Sequence, residues 1–163
     1  MAAVVTFGEL AAGLMFAVRS VRILQATMAD RLLPSQRSAL MARVRSKDTA
    51  PELIVRKIVH ALGYRFRLHG KDLPGRPDLV LPRHHAVIFV HGCFWHRHSD
   101  CRRASLPKSR TKFWHSKLAR NSERDSIAHR QLRAAGWRVL VVWECQTKKL
   151  DRLRGRLSKF LST

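Results

Sequence analysis

Acidic residues are scarce in this chain. Eleven Asp and Glu stand against thirty-two Lys and Arg, for a formal net charge of +21 over 163 residues. So lopsided a balance implies a polyanionic partner, because basic side chains bind phosphates by releasing condensed counterions. The positive charges are spread along the length and not gathered in one amphipathic helix, which favours nucleic acid over an anionic membrane surface. Cysteine is also scarce: three residues, an odd set, argue against a secreted disulfide framework and for thiols in a reducing cytoplasm. Long apolar runs are missing. Residues 1–27 are the most apolar stretch, yet Glu9, Arg19 and Arg22 interrupt it, so it reads neither as a membrane span nor as a signal peptide. Internal repeats are absent. What remains is 45% hydrophobic, an ordinary globular share that excludes a disordered tail and suits a single core.

The order of elements is that of an α/β protein. Met28 opens a basic segment with helical character around Gln36 to Val44, and the domain is expected over 28–163, with 1–27 a dispensable or non-native extension. An extra helix is the other reading of that stretch. Thr49-Ala-Pro-Glu52 reads as a capped helix start, with Leu53, Ile54, Ile58, Ala61 and Leu62 on one face and Gly63 at the end. Strands are expected at Tyr64 to Leu68, at Asp78 to Leu81, at Ala86 to Val90 (apolar enough to be central) and at Trp137 to Trp143. A helix is expected from Thr111 to Ala135 and a basic amphipathic helix after Lys148. Together these elements suggest an α/β sandwich around a small mixed sheet.

Two sets of residues carry chemistry. Asp78 and His91 lie thirteen residues apart, enough for two neighbouring strands and the turn at Arg83-His84-His85. A carboxylate at a strand end suits a hard cation such as Mg²⁺, which takes oxygen ligands and keeps several waters. A lone Asp at a turn is common, so this pair alone is weak evidence. Cys93, His98 and Cys101 are spaced C-x4-H-x2-C, and Cys145 ends the last strand. Three thiolates and one imidazole make a closed, structural zinc site that would pin a long loop to a distant strand. The bland alternative is ordinary cysteines and a surface histidine.

The run His91-Gly-Cys-Phe-Trp-His96 resembles the very short patch repair (Vsr) endonucleases. So do upstream Leu73-Pro-Gly-Arg-Pro-Asp78 and downstream Gly136-Trp-Arg-Val-Leu-Val-Val-Trp-Glu-Cys145. Ser46-Lys-Asp-Thr49, Arg110-Thr-Lys-Phe-Trp114 and Asn121-Ser-Glu-Arg-Asp125 match in the same order. The resemblance implies a restriction-endonuclease-like fold, magnesium dependence, and nicking 5′ to the T of a T:G mismatch left when 5-methylcytosine deaminates. It implies a bacterial cytoplasmic enzyme working at the nucleoid as a monomer on double-stranded DNA. Mismatch-repair proteins stand as candidate partners.

Carried over residue by residue, Asp78 would bind magnesium with the backbone carbonyl of Val90, where the family often has Thr. His91 and His96 would be acid/base or transition-state groups, a task suited to a side chain that titrates near neutrality. Glu52 and Asp125 match family active-site acids. Glu52 is equally explained by the helix cap. Asp125 shares a stripe with Trp114, Leu118 and Leu132, where a carboxylate needs a partner, and a catalytic histidine is a natural one. Phe94, Trp95 and Trp114 correspond to an aromatic wedge that enters the stack at the mismatch, and Met41 to a residue that approaches it from the minor groove. Two other readings compete: a related nuclease cutting unmodified duplex, and a catalytically inactive, zinc-stabilised DNA-binding module.

Overall fold

The computed structural model describes residues 47–163 together with Gln36 and Ala39, both helical. Met41 and the 1–27 segment lie outside the described residues. The chain divides into two compact units, 1–44 and 45–163; the second is described below.

A helix opens the second unit. Helix α1 (Ala50–Ala61) begins after Thr49, with Pro51 in its first turn. The expected reciprocal cap does not form. Glu52 accepts the Asp48 N–H at 2.9 Å and the Thr49 hydroxyl at 2.8 Å, while Thr49 returns no bond to the helix. The buried face is also rotated from the expected one. Val55 and Val59 are fully buried with Ile54, Ile58 and Leu62 at their flanks, whereas Leu53 and Ala61 face solvent. The buried face lies about one residue round from the expected one, so that Val55 and Val59 reach the core beneath the sheet.

Four strands follow: β1 (Arg67–Leu68), β2 (Leu79–Leu81), β3 (Ala86–His91) and β4 (Arg138–Trp143). They form one sheet in the order β1-β2-β3-β4. The first three are antiparallel neighbours, with Leu79 opposite Ile88, and β3 pairs with β4 in parallel, with Ile88 opposite Leu140. β3 is interior, as its apolar composition demands. The strand expected at Tyr64 shortens to Arg67–Leu68, because only these two residues reach a partner in β2.

A parallel pair needs a long crossover, and α2 (Thr111–Ala134) supplies it. Side-chain alternation along β3 then divides the core. Ala86 and Ile88 join Leu79, Leu81, Leu140 and Val142 beneath α1 and α3 (Leu150–Ser162). Val87 and Phe89 turn to the opposite face and pack with Val80 and with Leu132 of α2. Leu153, Leu157 and Leu161 recur every four residues on α3 and are all buried. Each such leucine is worth roughly 1.5–3 kcal/mol of burial. The result is a mixed four-stranded sheet between helices, with β3 aiming its last residue at the α2 side.

Candidate active site

Asp78 immediately precedes β2, and its placement follows from a tight turn. Leu73-Pro-Gly-Arg-Pro77 folds back under α2, with Gly75 at φ 72°. A Cβ on Gly75 would stand 2.7 Å from that of Ala128, so only glycine lets the turn approach this closely. The Asp78 carboxylate accepts the Val90 N–H at 2.6 Å. Burial pushes its pKa up to about 6 against that hydrogen bond, and the nearby charge of Glu52 pushes the same way. This hydrogen bond brings the Asp78 carboxylate against the backbone of Val90. The Asp78 carboxylate, held at the start of β2 against the Val90 backbone, fits the oxygen-ligand preference of Mg²⁺. Glu52 itself is buried and fully engaged, since Arg56 donates to it at 2.9 Å as well. Arg56 also contacts Asp48 and lies 3.5 Å from His69, a basic pairing the sequence did not reveal.

The next residue, His91, turns its ring toward α2. It stacks on His96 with ring centroids 3.9 Å apart and planes within 12°. Burial, reinforced by His96, pulls the His91 pKa down to about 3, so this imidazole is neutral at physiological pH. His96 Nδ1 lies 2.5 Å from Asp125 Oδ2, which supplies the partner that a carboxylate on the inner stripe of α2 requires. Burial would raise Asp125, but the His96 hydrogen bond and the surrounding imidazoles outweigh it and hold it below the ordinary value. His129, one turn beyond Asp125, packs edge-on against Phe89 at 4.7 Å and lies nearly parallel to His91 at 5.7 Å. Sequence reasoning passed over it, although its four-residue spacing from Asp125 was a visible signal.

The loop after β3 carries the second cluster. Cys93, His98, Cys101 and Cys145 bring their ligand atoms within 4.8 Å of one another. His98 Nδ1 stands 3.6 Å from Cys93 Sγ and 3.4 Å from Cys145 Sγ. Tetrahedral zinc with ordinary bond lengths would separate a sulfur and a nitrogen ligand by about 3.6 Å. The four residues therefore form a candidate zinc site. His98 stacks on Trp143 at 4.2 Å, and the same indole meets His91 edge-on at 5.4 Å, so one side chain joins the cysteine cluster to the imidazoles.

Phe94, Trp95 and Trp114 come together from this loop and the first turn of α2. Phe94 lies 5.0 Å from Trp95 and 5.3 Å from Trp114, and Lys117 sits over both indoles. Asn121 donates to the Trp95 carbonyl at 3.1 Å, tying the loop to α2. Phe113, 48% exposed, extends the group beyond the residues the sequence singled out.

A carboxylate at a strand start, a stacked histidine pair with its own carboxylate, and an aromatic loop carrying a Cys₃His cluster are groups of the kind that a nuclease uses. Comparison with known proteins makes the class specific. The family model for the DNA mismatch endonuclease Vsr matches residues 29–103. The chain is 53% identical over 134 residues to the Type II nicking enzyme V.XorIIP of Xanthomonas oryzae pv. oryzae, covering 82% of this chain and 98% of that protein. It is 42% identical to the Type II nicking enzyme V.NmeAIP of Neisseria meningitidis, over 82% of this chain and 95% of that protein. It is 41% identical to the DNA mismatch endonuclease Vsr of Escherichia coli, over 77% of this chain and 80% of that protein. The chain belongs to the Vsr DNA mismatch endonuclease family and is a DNA-nicking enzyme. Among the described residues no helix is long and apolar enough to cross a membrane.

Proposed function

We propose that this enzyme nicks the T strand 5′ to the T of a T:G mismatch left by deaminated 5-methylcytosine, on a restriction-endonuclease-like fold. The observation that carries this reading is the position of the aromatic group. Trp95 directly precedes His96, so whatever base step the indoles open is delivered beside the reacting groups. Intercalation costs unstacking energy, and a mismatched step costs less to open than a paired one. A mismatch thereby becomes the favoured substrate without every base being read.

Asp78 and the Val90 carbonyl would hold Mg²⁺, which when bound supplies Lewis-acid stabilisation of the phosphorane-like transition state. Asp125 fixes the His96 ring through Nδ1, which leaves Nε2 to exchange a proton with the nucleophile or the leaving oxygen. His91, neutral and buried, orients His96 by stacking and can accept a hydrogen bond without bringing a second positive charge. Zn²⁺ at Cys93, His98, Cys101 and Cys145 would be structural, because four protein ligands leave no open position. The substrate is double-stranded DNA, and the chain acts as a monomer.

The test is a panel of labelled duplexes with T:G or C:G set in several flanking sequences, incubated with Mg²⁺. Nicking of the T strand at T:G, with C:G largely intact, is expected in at least one context. Trp95→Ala should reduce the preference for T:G by ~1–3 kcal/mol, the range for a lost stacking contact. Asp78→Ala should abolish nicking and keep binding. Equal cleavage of matched and mismatched duplexes would replace this reading with that of a general nuclease. Tight binding without cleavage in any context or metal would replace it with an inactive binding module.

A further inference from the structure

Between α2, the end of β4 and the loop after His96 lies a cavity of about 330 Å³ whose floor is the His91, His96 and Asp125 group. Its outer wall carries groups to which the reading above assigns no part. Ser122, Ser126, Arg130 and Arg133 follow one another at intervals of four, four and three residues along α2, which places them on successive turns of one helical face. Arg97 enters from the loop opposite, its backbone in the left-handed region at φ 52°. Among the described residues none of these three arginines is in an ion pair. Asp125 is the acid in the cavity, and His96 already holds it at 2.5 Å. The cavity is therefore left with unneutralised guanidinium charge and three serine hydroxyls, Ser99 from the loop included, around a concave space. That set suits an oxyanion with several acceptor oxygens, and guanidinium forks match phosphate geometry.

We propose that this cavity binds a backbone phosphodiester of the cut strand adjacent to the scissile one, through Arg130 and Arg133 with Arg97 closing from the loop. The inference rests on the nicking reading above and adds a subsite to it. Holding the neighbouring phosphate fixes the strand's register against His96, and positioning of that kind converts binding into rate. Arg130 and Arg133 are exposed on a helix surface, so substituting them leaves the core intact.

The experiment couples protein and DNA changes. Methylphosphonates, which remove one backbone charge, are placed singly at each phosphate within three nucleotides of the expected nick, in T:G and C:G duplexes. Binding is measured by titration for the wild type, for Arg130→Gln/Arg133→Gln, and for Arg152→Gln/Arg154→Gln, which loses equal charge on exposed positions of α3. One methylphosphonate should weaken wild-type and α3-variant binding about ten- to hundredfold and leave the α2 variant unchanged. The α2 variant should also show a log Kd against log salt slope shallower by about 1–2. Equal sensitivity of the α2 variant and wild type at every phosphate would overturn the proposal. So would loss of the sensitivity in the α3 variant, which would make it an effect of overall charge. Because the readout is binding, a chain that shows the coupling but never nicks T:G refutes the mismatch reading and not this one, and the reverse result does the opposite.

Discussion

At the scale of single residues the site is a matter of which groups hold one another. Asp125 is the clearest case. It occupies an inner position on α2 between Leu118 and Leu132, where an unpaired carboxylate would be costly, and its hydrogen bond to His96 resolves that cost while orienting the ring. Asp125→Asn keeps the size and removes the charge. It should lower the single-turnover nicking rate by about a hundredfold, the upper range for losing such a supporting partner, and leave Kd for DNA near wild type. A parallel drop in affinity and rate would instead show that Asp125 holds the loop and not the imidazole. The partner requirement was legible from the helical spacing of Trp114, Leu118, Asp125 and Leu132. The stacking of His91 on His96 was not, because it depends on the loop folding back across the end of β3.

At the scale of elements two short connections bear most of the precision. The loop from Gly92 to Cys101 has turns of its own, His96 N–H to the Gly92 carbonyl and His98 N–H to the Cys93 carbonyl, and its long-range links run to α2 through Asn121 and Asp125 and to Cys145 beyond β4. Just past the loop, the Arg103–Glu144 pair adds a further link, though an exposed ion pair of this kind contributes ~1 kcal/mol at most. Purified protein is expected to carry about one zinc per chain by elemental analysis, and Cys145→Ser should lower both folded yield and melting temperature, because a structural metal's binding energy is folding energy. A metal-free preparation that is fully folded and active would remove the structural role. The other connection is the Leu73-to-Asp78 turn. Gly75→Ala meets both a positive φ and the Ala128 side chain, so it should destabilise the protein by about 2 kcal/mol or more in chemical denaturation and displace Asp78. The C-x4-H-x2-C spacing, with Cys145 at the end of the last strand, made the four candidate zinc ligands visible. The contact between this turn and α2 was invisible, since residues 75 and 128 are far apart in the chain.

At the scale of the whole molecule the net charge of +21 and the two-faced sheet set the general behaviour. Binding to any DNA should weaken steeply with salt, and in the proposed reading discrimination falls to the aromatic group, because phosphate contacts do not distinguish sequences. The family match begins at residue 29, and none of the candidate site residues precedes Met41. A chain started at Met28 is therefore expected to fold and nick as the full-length chain does. A clear loss of melting temperature or nicking on that truncation would make the first 27 residues a working part of the enzyme.

Local chemistry already fixed the class of element at each stretch: a proline-led helix, an apolar central strand, a leucine-faced terminal helix, and a cysteine and histidine set with metal-ligand spacing. These are short-range properties, carried by propensity, alternation and ligand type, and they are printed residue by residue. Assembly decided the rest. The sheet chose which face of α1 is buried, because packing against β2 and β3 favours Val55 and Val59 over the exposed Leu53. The parallel pairing of β3 with β4 placed His91 beside Trp143, and so joined the imidazoles to the cysteine cluster. It also set α2 across the same end, where Asp125, His129 and the arginines meet a loop about thirty residues distant. Such contacts have no signature along the chain. They exist only once the entropy of closing those loops has been offset by the burial of both faces of one sheet.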